Sequence, residues 1–283
     1  IGARAWVIDV GRSYKNLVGM QNGAFIEFTP ETKMCINPFT WIGTDSDLDF
    51  KAEIRILKPM IGRMASPNAP LTEFQYALIQ KALTDVWADY GNDTDPTKIQ
   101  AYLKEKIKDE RGNVERQAYE LAFQLQPFTK DGQFGHFFNG KANIDIDASE
   151  MVGLELEELK NAPELRRVVL FVLTSRIAHS MYLSRDQPKI CLIDEAWQLL
   201  GSDPETADFI EEGYRRARKY NGIFAVGTQG IEDAFKNDAS KAAYTNADWK
   251  LFLRQDPKSL ESTISKGLVD FSPAIKRQLL SLR

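Results

Sequence analysis

Ile190-Cys191-Leu192-Ile193 is a short apolar run that stops abruptly at two acids, Asp194-Glu195. A strand can be apolar at every position only where both faces of its sheet are covered, as in the central parallel strands of an α/β protein. Two further runs share this character: Ala5-Trp6-Val7-Ile8-Asp9-Val10, stopped by Gly11, and Ile223-Phe224-Ala225-Val226-Gly227. Between Ile190 and Ile223 lies a helical pattern from Pro204 to Tyr220, closed by Asn221-Gly222, so this part of the chain reads strand, helix, strand. Repeated alternation of that kind predicts a parallel sheet with helices packed on it.

The remaining segments extend the pattern and interrupt it. Ala24 to Phe28 is a second strand, stopped by Pro30. From about Asp45 to Asn143 the character turns helical: Pro70 and Thr72 precede a helix from Phe74 to Tyr90, Asp95-Pro96 opens another, and Asn113 to Gln126 forms a third. Met151 to Leu156 returns to a strand, and Pro163 begins a long helix to about Leu183. Trp249 to Leu253 reads as a last strand, with two short helices after it. The expected organisation is an α/β core of residues 1–44 and 144–283, interrupted by an all-helical lobe at 45–143. Composition supports such a core, with 43% hydrophobic and 27% charged residues.

Several classes are disfavoured. The longest aliphatic and aromatic stretch, Val168 to Leu173, is far short of the roughly 20 residues a bilayer span requires. The start, Ile1-Gly2-Ala3-Arg4-Ala5, lacks the form of a secretory signal. Cys35 and Cys191 give no framework for disulfides or zinc, which suits a reducing cytoplasm. A formal net charge of −4 weighs against strong nonspecific affinity for nucleic acid.

Ligands of open parallel sheets bind at the carboxyl ends of the strands, where Asp194 and Glu195 fall. Adjacent acids beside a dry strand suit a hydrated magnesium ion and an attacking water; they would equally start an ordinary solvated turn. Thr228-Gln229 ends the next strand in the same way and could touch a terminal phosphate or serve as turn residues. Arg215-Arg216-Ala217-Arg218-Lys219 closes the intervening helix, where four cations exceed what offsetting a helix dipole needs.

Taken in order, "ICLIDEAWQLLG", "RRARKYNG" and "FAVGTQGIEDAF" resemble the C-terminal motor domain of the TraC-type ATPases of conjugative type IV secretion systems. "WVIDVGRSYKNL" and "INPF" fit the segment that follows the first helix of that family. The resemblance implies a RecA-like P-loop NTPase core that hydrolyses ATP with Mg²⁺. It implies Asp194 as the magnesium-site acid, Glu195 as the catalytic carboxylate, Gln229 as a sensor and Arg218 as an arginine acting on a neighbouring subunit's nucleotide. Lys219, Asp9 and Arg12 are further nucleotide-site candidates, with turn roles an equal account of the last two. The implied partners are copies of the chain in a hexameric ring or dimers, other secretion components at the cytoplasmic face of the inner membrane and, indirectly, DNA. The family's phosphate loop is expected upstream of Ile1, so the chain alone is expected to hydrolyse ATP poorly, with its core sheet incomplete. A DNA-pumping motor of the HerA/FtsK type and a non-catalytic assembly module are the rival readings.

Gly135 to Ala142 also satisfies G-x-x-x-x-G-K. Ala142 lacks the hydroxyl that would meet magnesium, no apolar strand precedes Gly135, and Ile144-Asp145-Ile146-Asp147 alternates like a strand instead of opening a helix, so a turn is expected.

Overall fold

A computed structural model describes residues 2–29, 31–43, 47–182, 185–195 and 204–282. The chain divides into two compact units, one of residues 1–27, 147–157 and 177–283, the other of 28–146 and 158–176.

The first unit holds a five-stranded sheet in the order β2-β3-β1-β4-β5. Its strands are β1 (Arg4–Asp9), β2 (Ala24–Glu27), β3 (Met151–Glu155), β4 (Lys189–Ile193) and β5 (Gly222–Val226), and every pairing is parallel. Registers set Ile8 beside Leu154 and Ile193, and Ile193 beside Val226, so the carboxyl ends of the strands finish together. This is the α/β class the alternation predicts. Trp6, Ile8, Val152, Leu154, Cys191 and Ile193 are all buried. Helix α1 (Lys15–Met20) covers the β2–β3 side through Val18; a Cβ on Gly153 would stand 2.8 Å from the Phe25 ring and 3.0 Å from Val18, so glycine is required there.

At the other edge the cover is thinner. Ile190 and Leu192 are only half-buried; their register partners Ile223 and Ala225 lie on the same face, with Ile223 60% exposed. The outer edge of β5 pairs with no strand among the described residues. The expected strand Trp249–Leu253 is a correction: it forms no ladder, and Trp249, Leu251 and Leu253 are 87%, 91% and 78% exposed. The alternation is real, since Phe252 packs on a cluster of Ile231, Leu260, Val269 and Leu279. What it lacks is a neighbouring strand to take its backbone groups.

The second unit is helical: α2 (Asp47–Ala65), α3 (Glu73–Tyr90), α4 (Pro96–Glu105) and α5 (Arg116–Gln124). Thr72 and Gln75 form a capping box on α3, and Asp95 accepts from Lys98 N–H to start α4. The unit reaches beyond the expected 45–143. Residues 28–44 join it because Ile36 N–H donates to Phe137 O and the buried Asn37 amide donates to the Thr94 and Gly140 carbonyls. The first part of α6 (Pro163–Tyr182) joins it too; Arg63 stacks on Phe171 and Arg167 donates to Pro67 O.

Gly135 to Ala142 lies in this unit. It opens in a 3-10 turn at Gly135–Phe137, no strand precedes it and no helix follows it, so it lacks the form of a phosphate loop. Residues 144–147 form no strand, although Ile144 and Ile146 are buried.

Candidate active site

Asp194 and Glu195 follow directly on β4, at the carboxyl edge of the sheet. Asp194 N–H donates to Ile8 O at 2.9 Å, which carries the β1–β4 ladder one residue past the strand. The Asp194 carboxylate accepts Glu195 N–H at 2.9 Å and lies against Gly227, where any Cβ would stand 2.5 Å from Oδ1. Glycine at 227 is thus what lets the acid sit between β4 and the end of β5. Glu195 is 8% exposed and its backbone is left-handed, φ 48°. A non-glycine residue in that region costs on the order of 1–3 kcal/mol and is held only by its surroundings.

A second loop, residues 10–14 after β1, closes on the same edge. It turns through Gly11 (φ 118°) and Arg12 (φ 58°) and is tied down by two buried acids. Asp9 accepts from Val10 N–H at 2.8 Å and Ser13 N–H at 2.6 Å, with a longer bond from Tyr14 N–H at 3.4 Å. Glu155, at the end of β3, accepts from Gly11 N–H at 3.2 Å, Arg12 N–H at 2.5 Å and Glu157 N–H at 2.7 Å. The loop delivers Tyr14 to the surroundings of Asp194 and Asp9. Burial first, then the negative charges of Asp194 and Asp9, push the Tyr14 phenol up to about 12. Tyr14 and Glu155 were not singled out from sequence; Glu155 carries the same signal as Asp9 and Asp194, an acid ending an apolar strand.

The candidates divide by place. Asp194, Glu195 and Gln229 gather at the carboxyl edge, with Gln229 exposed just after β5 and the neighbouring turn held by Asp233, which accepts from Thr228 Oγ1 and Gly230 N–H at 3.0 Å each. Asp9 is there as well, with its oxygens engaged by the loop. Arg12 points elsewhere: its guanidinium pairs with Glu27 at the end of β2, two strands from β1. Arg218 and Lys219 lie in the 3-10 turn that ends helix α7 (Pro204–Ala217), before β5 begins. Five residues of strand put them roughly 15 Å from the carboxyl edge of their own sheet. Arg215 and Arg216 pair with Glu211 and Glu212, whereas Arg218 and Lys219 are exposed and have no ion-pair partner among the described residues.

This edge can hold a cation through few protein atoms. A carboxylate has about four acceptor sites, and Glu195 N–H takes one of those on Asp194. Among the described residues no cluster of three or more His, Cys, Asp or Glu could cage a metal. One carboxylate is the donor set that suits Mg²⁺ carried mainly by water and phosphate.

A parallel sheet with paired acids past a central strand defines the class of P-loop nucleotidases. The comparison with known families narrows it: the TraG P-loop domain matches residues 1–282, and the chain belongs to that family. Protein TraC of Escherichia coli K12 is 32% identical over 267 residues, 91% of this chain and 30% of TraC. The type IV secretion system protein CagE of Helicobacter pylori is 27% identical over 267 residues, 88% of this chain and 26% of CagE. The chain therefore spans less than a third of these relatives. The solved structure of VirB4 from Thermoanaerobacter pseudethanolicus shares the fold, with a TM-score of 0.77 and 22% identity over the whole of this chain and 77% of that one.

Proposed function

We propose that this chain is most of the motor domain of a type IV secretion ATPase, and that a preceding segment supplies the half of the active site that grips phosphate. The observation that carries the reading is the meeting of Asp194, the buried left-handed Glu195 and Gln229 at one edge of a parallel sheet.

The uncovered features of the sheet support the second half of the proposal. Among the described residues the outer edge of β5 pairs with no strand, and the face formed by Ile190, Leu192, Ile223 and Ala225 is thinly covered beside it. A strand on that edge, leading through a loop into a helix on that face, satisfies both by one crossover connection. The loop would then cap its helix next to Asp194 and Gln229, and helix N-termini with glycine-rich loops bind phosphate through backbone N–H groups. Trp249, Leu251 and Leu253 offer their apolar row to the far side of the same strand.

In this reading Asp194 holds a hydrated Mg²⁺, and the ion supplies charge neutralisation at the β- and γ-phosphates. Glu195 orients the attacking water and takes its proton as the water oxygen bonds to the γ-phosphorus and the bond to ADP breaks. Gln229 lies where the terminal phosphate ends and reports its presence to β5. Arg218 sits too far from its own sheet edge to act there, which favours action on a neighbouring copy in a ring or dimer. Lys219 shares that exposed turn and the same role. ATP hydrolysis then energises pilus assembly or substrate transfer at the inner membrane; among the described residues no helix is long and apolar enough to cross a membrane.

The test is made on the full-length protein. Glu195→Gln should abolish ATP turnover and leave ATP binding intact. Turnover at the wild-type rate in that variant sinks the assignment. For Arg218→Ala, mixing with Glu195→Gln protein should restore part of the lost activity, since each supplies what the other lacks; no recovery argues against action between copies.

A further inference from the structure

We propose that Tyr182 is a positioning residue for Arg218: its ring, packed on Tyr220, fixes the turn that presents Arg218 and Lys219 at the amino edge of the sheet. The inference rests on the reading of Arg218 as acting on a neighbouring copy. A side chain that reaches across to another copy's nucleotide is useful only if the backbone carrying it is held still. The rings of Tyr182, the last residue of α6, and Tyr220, the last of the 3-10 turn, lie 5.1 Å apart. Arg216 stands 4.3 Å over the Tyr182 ring while pairing with Glu212, and Arg185 stands 5.3 Å over the Tyr220 ring, so a guanidinium flanks each tyrosine. Cations over aromatic faces are attracted by the ring quadrupole, which ties both ends of the stack to the chain around it. The buried Lys189 at the start of β4 adds a long bond from Nζ to Tyr220 O at 3.5 Å, and its N–H donates to Asn221 O at 3.0 Å. Asn221 turns left-handed, φ 56°, and Gly222 is closed in: a Cβ there would stand 2.8 Å from Met181 and 3.1 Å from Ala217 O. A left-handed residue such as Asn221 is enough to end a helix. The stack of Tyr182, Tyr220 and their guanidinium groups goes beyond that need, and the turn it holds leaves Arg218 and Lys219 exposed with no ion-pair partner among the described residues.

The experiment uses the full-length protein and follows ATP turnover by phosphate release. Tyr182→Leu keeps an apolar side chain and removes the ring; kcat should fall about tenfold with KM for ATP unchanged, because a displaced catalytic group slows the reaction without loosening the substrate. Tyr182→Phe keeps the ring and should hold the wild-type rate. Mixing Tyr182→Leu with the inactive Glu195→Gln protein should restore part of the loss, since at a mixed junction an intact Glu195 meets an intact Arg218 turn. Damage to the fold alone is not repaired by such a partner. Arg185→Ala is an exposed change over the Tyr220 ring and should lose about threefold, restored in the same way; it decides the matter alone if Tyr182→Leu does not fold. Turnover at the wild-type rate in Tyr182→Leu, or a loss that mixing does not restore, overturns the proposal. If Arg218→Ala itself keeps the wild-type rate, or is not restored by mixing, the reading of Arg218 fails and this inference fails with it; that outcome is distinguishable, because it appears before Tyr182 is changed.

Discussion

Gly227 and Glu195 show how tightly single residues are specified at the edge of the sheet. Gly227→Ala puts a methyl 2.5 Å from Asp194 Oδ1, so the acid must turn away from the seat where Glu195 N–H meets it. In the full-length protein the variant is expected to lose at least tenfold in ATP turnover, measured by phosphate release, with the far-ultraviolet circular dichroism unchanged. Glu195→Gly is expected to do two things at once: abolish turnover and raise stability by about 1 kcal/mol in urea unfolding, because glycine adopts φ 48° without the steric penalty. Cys191 is buried in β4 and its thiol is pushed up to about 12 by burial, so a thiol reagent at pH 8 should leave it unlabelled until the chain is unfolded. At this scale the sequence was informative where residue type and strand position coincide. Asp194, Glu195 and Gln229 are legible as polar groups ending apolar runs. Tyr14 was not, because the acid whose charge it feels lies 180 positions away, and nothing local marks a tyrosine in a turn as the neighbour of a distant acid.

Among the elements, five strands and most helices are legible from periodicity, because burial on a sheet or a helix face leaves a local pattern. Trp249 to Leu253 has the pattern without the ladder, since a strand exists only beside another strand. The six-residue helix α1 lacks a full amphipathic repeat and left no signal of its own. The boundary between the units also escaped, and Asn37 explains why. Its side chain bonds Phe39 N–H and two carbonyls 57 and 103 positions away, so a residue that looks like part of the strand-rich beginning is anchored in the helical unit. Asn37→Ala leaves buried backbone groups unsatisfied and is expected to destabilise that unit by about 2–3 kcal/mol, read as a lowered midpoint in urea unfolding followed by Trp87 fluorescence. Trp87 stacks on Phe50 with ring centroids 4.7 Å apart, so its emission reports on the packing of the same unit.

For the molecule as a whole, an open strand edge beside a half-covered apolar face is a template for association. The chain produced alone is expected to self-associate through β5, and Ile223→Lys should reduce that association in light scattering, since a charge on an edge strand opposes edge-to-edge pairing. The same open edge bears on how such a motor could be divided. On the proposed reading, the strand, loop and helix that complete the sheet need not be joined to this chain by a peptide bond; they need only arrive in register. Two polypeptides, one with the phosphate loop and one with the acids of β4, would then constitute a split motor whose activity tracks their mixing ratio. Its switch would be the supply of the smaller piece.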